Sequence, residues 1–268
     1  MKRFYRISAF LFILLFALNG TVIARPALQT DFCQTVTDIP RAECEALAAF
    51  YISTGGDGWN VNIGWLTDTE AASWYGVQVV DNRVARLTLA NNNLQGSLPP
   101  EIGTLSGLTE IVLSHNQLSG SLPSAIGGLN QLTILDLSGN DFSGGLPPEL
   151  FTLTSLQYLY LDHNQFSGVI PAAIGNLTAL NVLWLNDNHL LGFPPAGLTN
   201  LTALFNPGSL QPGNLDGLDL NENRFCVPDG YPVPGNPLHQ FLSQKDPDFH
   251  LHQTCTPIFE VFLPMIRR

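Results

Sequence analysis

Val84, Leu108, Leu132, Leu156, Leu180 and Leu204 lie 24 positions apart, and this interval constrains the fold of the 268-residue chain more than any other property. The phase continues inside each unit. Three positions on stand Leu87, Ile111, Leu135, Leu159 and Leu183; five on stand Leu89, Leu113, Leu137, Leu161 and Leu185. Eight on is asparagine, from Asn92 to Asn188; twelve on is glycine, from Gly96 to Gly192; fifteen on is proline, from Pro99 to Pro195. A repeat of roughly 20–50 residues implies stacked units, each in contact only with its neighbours.

The chemistry of one unit predicts its shape. The apolar–x–apolar segment alternates with period two, so it reads as a strand with one buried face. Stacked units pair such strands into a parallel sheet. The asparagine ends the strand, and its amide carries both donors and an acceptor, so a buried asparagine can bond the backbone of neighbouring turns. Leaving such a group unpaired costs about 1–3 kcal/mol. Glycine permits the turn that follows, and proline stops the next segment from extending as a regular element. A later apolar pair, such as Ile102 and Leu105 or Ile174 and Leu177, is predicted to point inward from the convex side. No unit can bury its own leucines, but stacking makes one continuous core.

The segment from Leu132 through Leu135, Leu137, Asn140, Phe142 and Gly144 to Pro147 resembles the plant-type extracellular leucine-rich repeat, as does the segment from Leu156 to Pro171. The resemblance covers residues 84–226. It implies an α/β repeat fold, a right-handed solenoid with a concave parallel β-sheet and a second short strand near the glycine–x–apolar–proline segment. Members of that family mostly recognise proteins, peptides or glycans outside the cell. The pattern is broken twice. Pro194 replaces the apolar residue before Pro195, and after Leu204 the segment 205–214 is rich in Pro, Gly and Asn before the phase resumes at Leu215, an insertion of 11 positions.

A stack leaves raw apolar ends and unpaired strand edges, so both ends need covers. Residues 25–83 are expected to form the first. Pro40 to Tyr51 has helical spacing, and Trp59, Trp65, Trp74 and Tyr75 supply an aromatic core. The run Trp74-Tyr75-Gly76-Val77 resembles the amino-terminal cap of the plant-type family. Ala72 and Val79 stand where that family often has a cysteine pair. Residues 227–268 are the expected second cap and tail, with a short helix around Leu238, Phe241 and Leu242. The four cysteines allow three pairings. Cys33–Cys44 and Cys226–Cys255 are expected, because each pair is local and a solenoid keeps its ends apart. Neither pair has the C-x-x-C spacing of a structural zinc site.

Residues 1–24 read as a secretory signal: Lys2, Arg3 and Arg6, then an apolar run to Leu18, then short side chains before Arg25. The run is too short to span a bilayer comfortably, so no transmembrane segment is expected after its removal. Removal leaves 8 Lys+Arg against 22 Asp+Glu, a formal net charge of −14. Such a surface repels nucleic acid and anionic lipid. The expected location is secreted or in the cell envelope.

No catalytic constellation stands out, and neither metal nor cofactor is expected. Gly55-Gly56-Asp57-Gly58 lacks the Lys-Ser/Thr pair of a phosphate loop. Asp219, Asn221 and Asn223 alternate like calcium ligands, but Arg224 stands where that loop needs glycine and Gly230 where it needs glutamate. His250 and His252 alternate near the end, and an H-x-H pair alone is weak evidence of a metal.

The outward positions of the strands are more informative. Two and four positions after the first leucine, units three to five carry Ile134, Asp136, Tyr158, Tyr160, Val182 and Trp184, all expected to lie exposed side by side except that Asp136 belongs to the border. Asp162, His163 and Asp187, at positions six and seven, are expected on the same face, the aspartates as its acidic border. Tyr and Trp dominate binding hot spots, and acidic neighbours favour a cationic or hydroxyl-rich ligand. The expectation is a non-enzymatic recognition module for an extracellular protein or peptide; a glycan binder and a passive envelope or adhesion scaffold are the alternatives.

Overall fold

The computed structural model describes residues 32–205, 217–225 and 236–246. The predicted signal segment, Cys226, Cys255, His250, His252 and the tail lie outside the described residues.

The first cap opens with helix α1 (Arg41–Ser53), for which Pro40 is the residue before the first turn. Cys44 lies on α1 and is bonded to Cys33 as expected. Phe50 and Tyr51 of α1 pack against Trp59 and Trp65, and Trp65 against Trp74. Each buried indole N–H is satisfied: Trp59 donates to the Thr54 carbonyl, Trp65 to Tyr75 and Trp74 to Asp68. Strand β1 (Val77–Val80) returns through Asp81 and Asn82, both at positive φ, to pair antiparallel with β2 (Arg83–Thr88). The hairpin covers the first edge of the repeat sheet.

Each repeat then contributes two short strands. These are β3 (Gln95–Gly96), β4 (Glu110–Val112), β5 (Gln117–Gly120), β6 (Ile134–Asp136), β7 (Asp141–Gly144), β8 (Tyr158–Tyr160), β9 (Gln165–Gly168), β10 (Val182–Trp184), β11 (His189–Gly192), β12 (Leu218–Asp219) and β13 (Arg224–Phe225). The main sheet runs β1-β2-β4-β6-β8-β10-β12, and the second runs β3-β5-β7-β9-β11-β13. From β2 onward the main sheet is parallel, and its register follows the repeat, with Leu87 opposite Ile111, Ile111 opposite Leu135 and Leu135 opposite Leu159. Parallel connections of this kind are right-handed. After each motif proline comes one 3₁₀ turn, such as Pro100–Thr104 or Ala172–Asn176, whose Ile102 or Ile174 is buried on the convex side. Pro194 is buried too, in the place that Leu98, Leu122, Leu146 and Ile170 fill in the other units.

The asparagine ladder forms as predicted. Asn140 Nδ2 donates to the carbonyls of Leu113 and Leu137, both at 3.0 Å, while its Oδ1 accepts from the Leu118 N–H. Asn164, Asn188 and Asn223 repeat the pattern. Asn92 has no preceding coil and bonds the cap instead, accepting from Val61 N–H and donating to its carbonyl.

The backbone ladder locates the insertion. Phe205 N–H donates to Asn181 O as Asn181 N–H does to Gln157 O, so the 24-residue phase persists through Phe205. It resumes at Gly217, whose carbonyl accepts from Leu183 N–H. Leu218 pairs with Leu183, 35 positions back instead of 24. The 11 extra positions are therefore 206–216, slightly later than the composition of 205–214 implied.

Two buried carboxylates close the ends. Glu43 of α1 accepts from the Val84 N–H and pairs with Arg83. At the far end, helix α2 (Pro237–Lys245) buries Leu238 and Leu242 against the last coil. Asp246 Oδ2 accepts from the Leu220 N–H at 2.9 Å, as the Asp219 carbonyl accepts from Leu185 N–H one coil earlier. A side chain thus takes the place that the next coil's carbonyl takes elsewhere in the stack.

Candidate binding face

The strand register aligns Ile134, Tyr158 and Val182 in one row and Asp136, Tyr160, Trp184 and Asp219 in the next. Tyr160 and Trp184 meet edge to face, with centroids 5.1 Å apart and planes at 78°. Tyr158 lies near-parallel to Tyr160, 6.5 Å away along the strand. All three rings are half-buried, as are Ile134 and Asp136. The predicted aromatic cluster is therefore assembled on one face.

Val182 is a correction: it is wholly buried, not exposed. The stem of the insertion gives the reason. The next residue in its row is Gly217, where a side-chain carbon would strike the backbone N and O of Phe205. The backbone of Phe205 thus crowds Gly217, the neighbour of Val182 in that row, an approach between positions only 12 apart that no 24-residue pattern contains. The aromatic cluster ends there.

Asp162 also differs from an open border residue, being only 7% exposed. Its Oδ2 lies 2.9 Å from His163 Nδ1, and His163 Nε2 lies 3.4 Å from Asp187 Oδ2, so the ring bridges carboxylates of adjacent coils. Asn186 Nδ2 donates to the same Asp187 oxygen at 2.7 Å. The buried Oδ1 atoms of Asp162 and Asn186 have no hydrogen-bond partner. Burial pushes the Asp162 carboxyl above its ordinary range, against the lowering effect of His163. Burial, and then the charge of Asp136, pushes the Tyr160 phenol up to about 12, so it stays a neutral hydrogen-bond donor.

The seventh column has a backbone role that spacing alone concealed. Asn91, His115, Gly139, His163, Asp187 and Glu222 all have φ between +49° and +62°. Each makes the left-handed turn that delivers the next ladder asparagine, although the His163 side chain is 61% exposed. Their repeated Asn, His, Gly and Asp content was the available signal, because those residues tolerate that region best. Asp219 and Asn223, which alternate like calcium ligands, are a strand residue and a ladder residue. Among the described residues no group of three or more His, Cys, Asp or Glu is placed to hold a metal ion.

The sequence of residues 83–205 matches the family model described as a leucine-rich repeat region. Residues 83–205 are a leucine-rich repeat region. No curated protein matches the sequence. Among solved structures, the leucine-rich-repeat ectodomain of the plant membrane receptor kinase GASSHO1/SCHENGEN3 from Arabidopsis thaliana, in complex with Casparian strip integrity factor 2, is 28% identical with a TM-score of 0.61. That match covers 68% of this chain and 21% of the receptor chain. The PEPR1–AtPEP1 structure is 29% identical with a TM-score of 0.57, covering 67% of this chain and 25% of that one. The ectodomain of the receptor kinase SOBIR1 from Arabidopsis thaliana is 29% identical with a TM-score of 0.54, covering 63% and 91%. The leucine-rich repeat region is thus similar to the ectodomains of plant receptor kinases. Among the described residues no helix is long and apolar enough to cross a membrane.

Proposed function

We propose that this chain is a secreted recognition module that binds an extracellular protein or peptide through its concave sheet, without catalysis. The observation that carries it is the joined cluster of Tyr158, Tyr160 and Trp184 on adjacent strands of that sheet. A core does not require three large rings at outward positions, whereas binding hot spots are rich in them. The leucine-rich-repeat ectodomain of GASSHO1/SCHENGEN3, solved in complex with another factor, supports the same use of the scaffold. Secretion rests on the signal-like residues 1–24.

The test is to screen the purified chain against peptide and glycan arrays, then measure substitutions with the best ligand. Trp184→Ala should weaken binding by roughly 2 kcal/mol or more and cost about 1 kcal/mol of stability through its lost ring contact. Ser121→Ala, in the turn before the convex side, should change neither. Unchanged affinity on replacing Tyr158, Tyr160 and Trp184 together would refute the concave site. Hits confined to glycans would move the assignment to a sugar binder.

A further inference from the structure

We infer that the concave face takes a cationic group of its ligand, an arginine or lysine side chain, in the corner formed by Tyr160 and Trp184 beside Asp136. The inference rests on the concave-face function proposed above and names the chemistry of its ligand.

Asp136, Tyr160 and Trp184 occupy the same register position on β6, β8 and β10. Neighbouring strands lie about 4.8 Å apart, so a group resting on Tyr160 is within reach of the Asp136 carboxylate. That carboxylate is held but not consumed. Its Oδ1 accepts from the N–H and the hydroxyl of Ser138. Among the described residues no hydrogen bond reaches Oδ2, and the side chain is half-buried instead of sealed. The rings beside it offer negative π-faces, to which a cation is drawn. At 78° they form a corner and not the flat double platform that a sugar ring would stack on.

The charge of the face points the same way. Among the described residues the arginine of the face, Arg86, is already paired with Glu110 at 3.3 Å, three strands away from Tyr158 and Tyr160. Asp136 and Asp219 flank the rings in the same row, while Asp162 and Asp187 are bridged by His163. A neutral ligand gains nothing from that field, an anionic one is repelled, and a cationic one gains both the field and the π-faces.

The probe is a displayed library of random decapeptides, selected in parallel on the full chain and three variants. Asp136→Asn keeps the Oδ1 acceptor for Ser138 and removes only the charge. The second variant replaces Tyr158, Tyr160 and Trp184 with alanine. Asp141→Asn, at an exposed acid on the second sheet, is the control. The expected result is a pool enriched in Arg or Lys, whose best peptide loses about fivefold in affinity on Asp136→Asn and nothing on Asp141→Asn. A pool that needs the three rings but shows no basic preference would overturn the cation and leave the concave face standing. Basic enrichment that survives Asp136→Asn would reduce the effect to general attraction by an acidic protein and also overturn it. If the triple variant selects the same pool as the native chain, the concave-face function falls as well.

Discussion

The amide nitrogen of Asn140 donates to the carbonyl of Leu113, 27 positions earlier, at 3.0 Å. The same nitrogen reaches Leu137 in its own coil, and its oxygen accepts from Leu118, so one side chain joins two coils at three points.

Asn140→Ala should therefore cost about 2 kcal/mol or more in a denaturant titration, because buried backbone groups lose their partners. Asp141→Ala, one residue on and exposed, should stay within about 0.5 kcal/mol. Equal small losses would contradict the ladder assignment.

The far end of the stack depends on Asp246. Asp246→Ala should strip the Leu220 N–H of its acceptor and cost about 1–3 kcal/mol. Hydrogen exchange offers a local readout: the Leu220 amide should lose protection while the Leu113 amide, several coils away, keeps it. Uniform loss across the stack would mean that the carboxylate does not act as a local end closure.

Asp162 should make stability depend on pH in the unusual direction for a carboxylate. Its folded pKa is raised, so the folded state holds the proton more tightly than the unfolded chain. The resulting penalty is absent below the unfolded pKa and grows as pH rises through the folded pKa. Asp162→Asn should remove that penalty. Titrations at several pH values should show the variant gaining on the native chain as pH rises from acid towards neutral. A gap that does not change with pH would show that Asp162 ionises freely in the fold.

Peptide mapping of the purified protein should recover the Cys33–Cys44 bridge, which closes a short loop of 11 positions in the first cap. Replacing both cysteines with alanine should cost about 3 kcal/mol by the loop-entropy argument. The same map should show Cys226 joined to Cys255. A bridge from either end to the other would contradict the solenoid.

The 24-residue interval was sufficient for the repeat architecture, the strand phase, the asparagine ladder and the inward turn after each proline. In a stack each unit touches only its neighbours, so a contact encoded once is encoded in every unit and becomes legible by repetition. The α1 helix and the Cys33–Cys44 bridge were legible because both are local. Tyr158, Tyr160 and Trp184 could be placed together because a register of 24 puts their positions on adjoining strands. What lies off the period had to wait for the tertiary structure. Val182 shares its row with Ile134 and Tyr158, yet it is buried, and the next position in that row, Gly217, lies against the backbone of Phe205. Asp162 looks like an open acidic border residue, yet its depth and its bridge through His163 depend on how neighbouring side chains fill the face. Asp246 closes the last strand from 26 positions away. Each of these is a contact made once, between segments that share no spacing rule, and only folding brings them together.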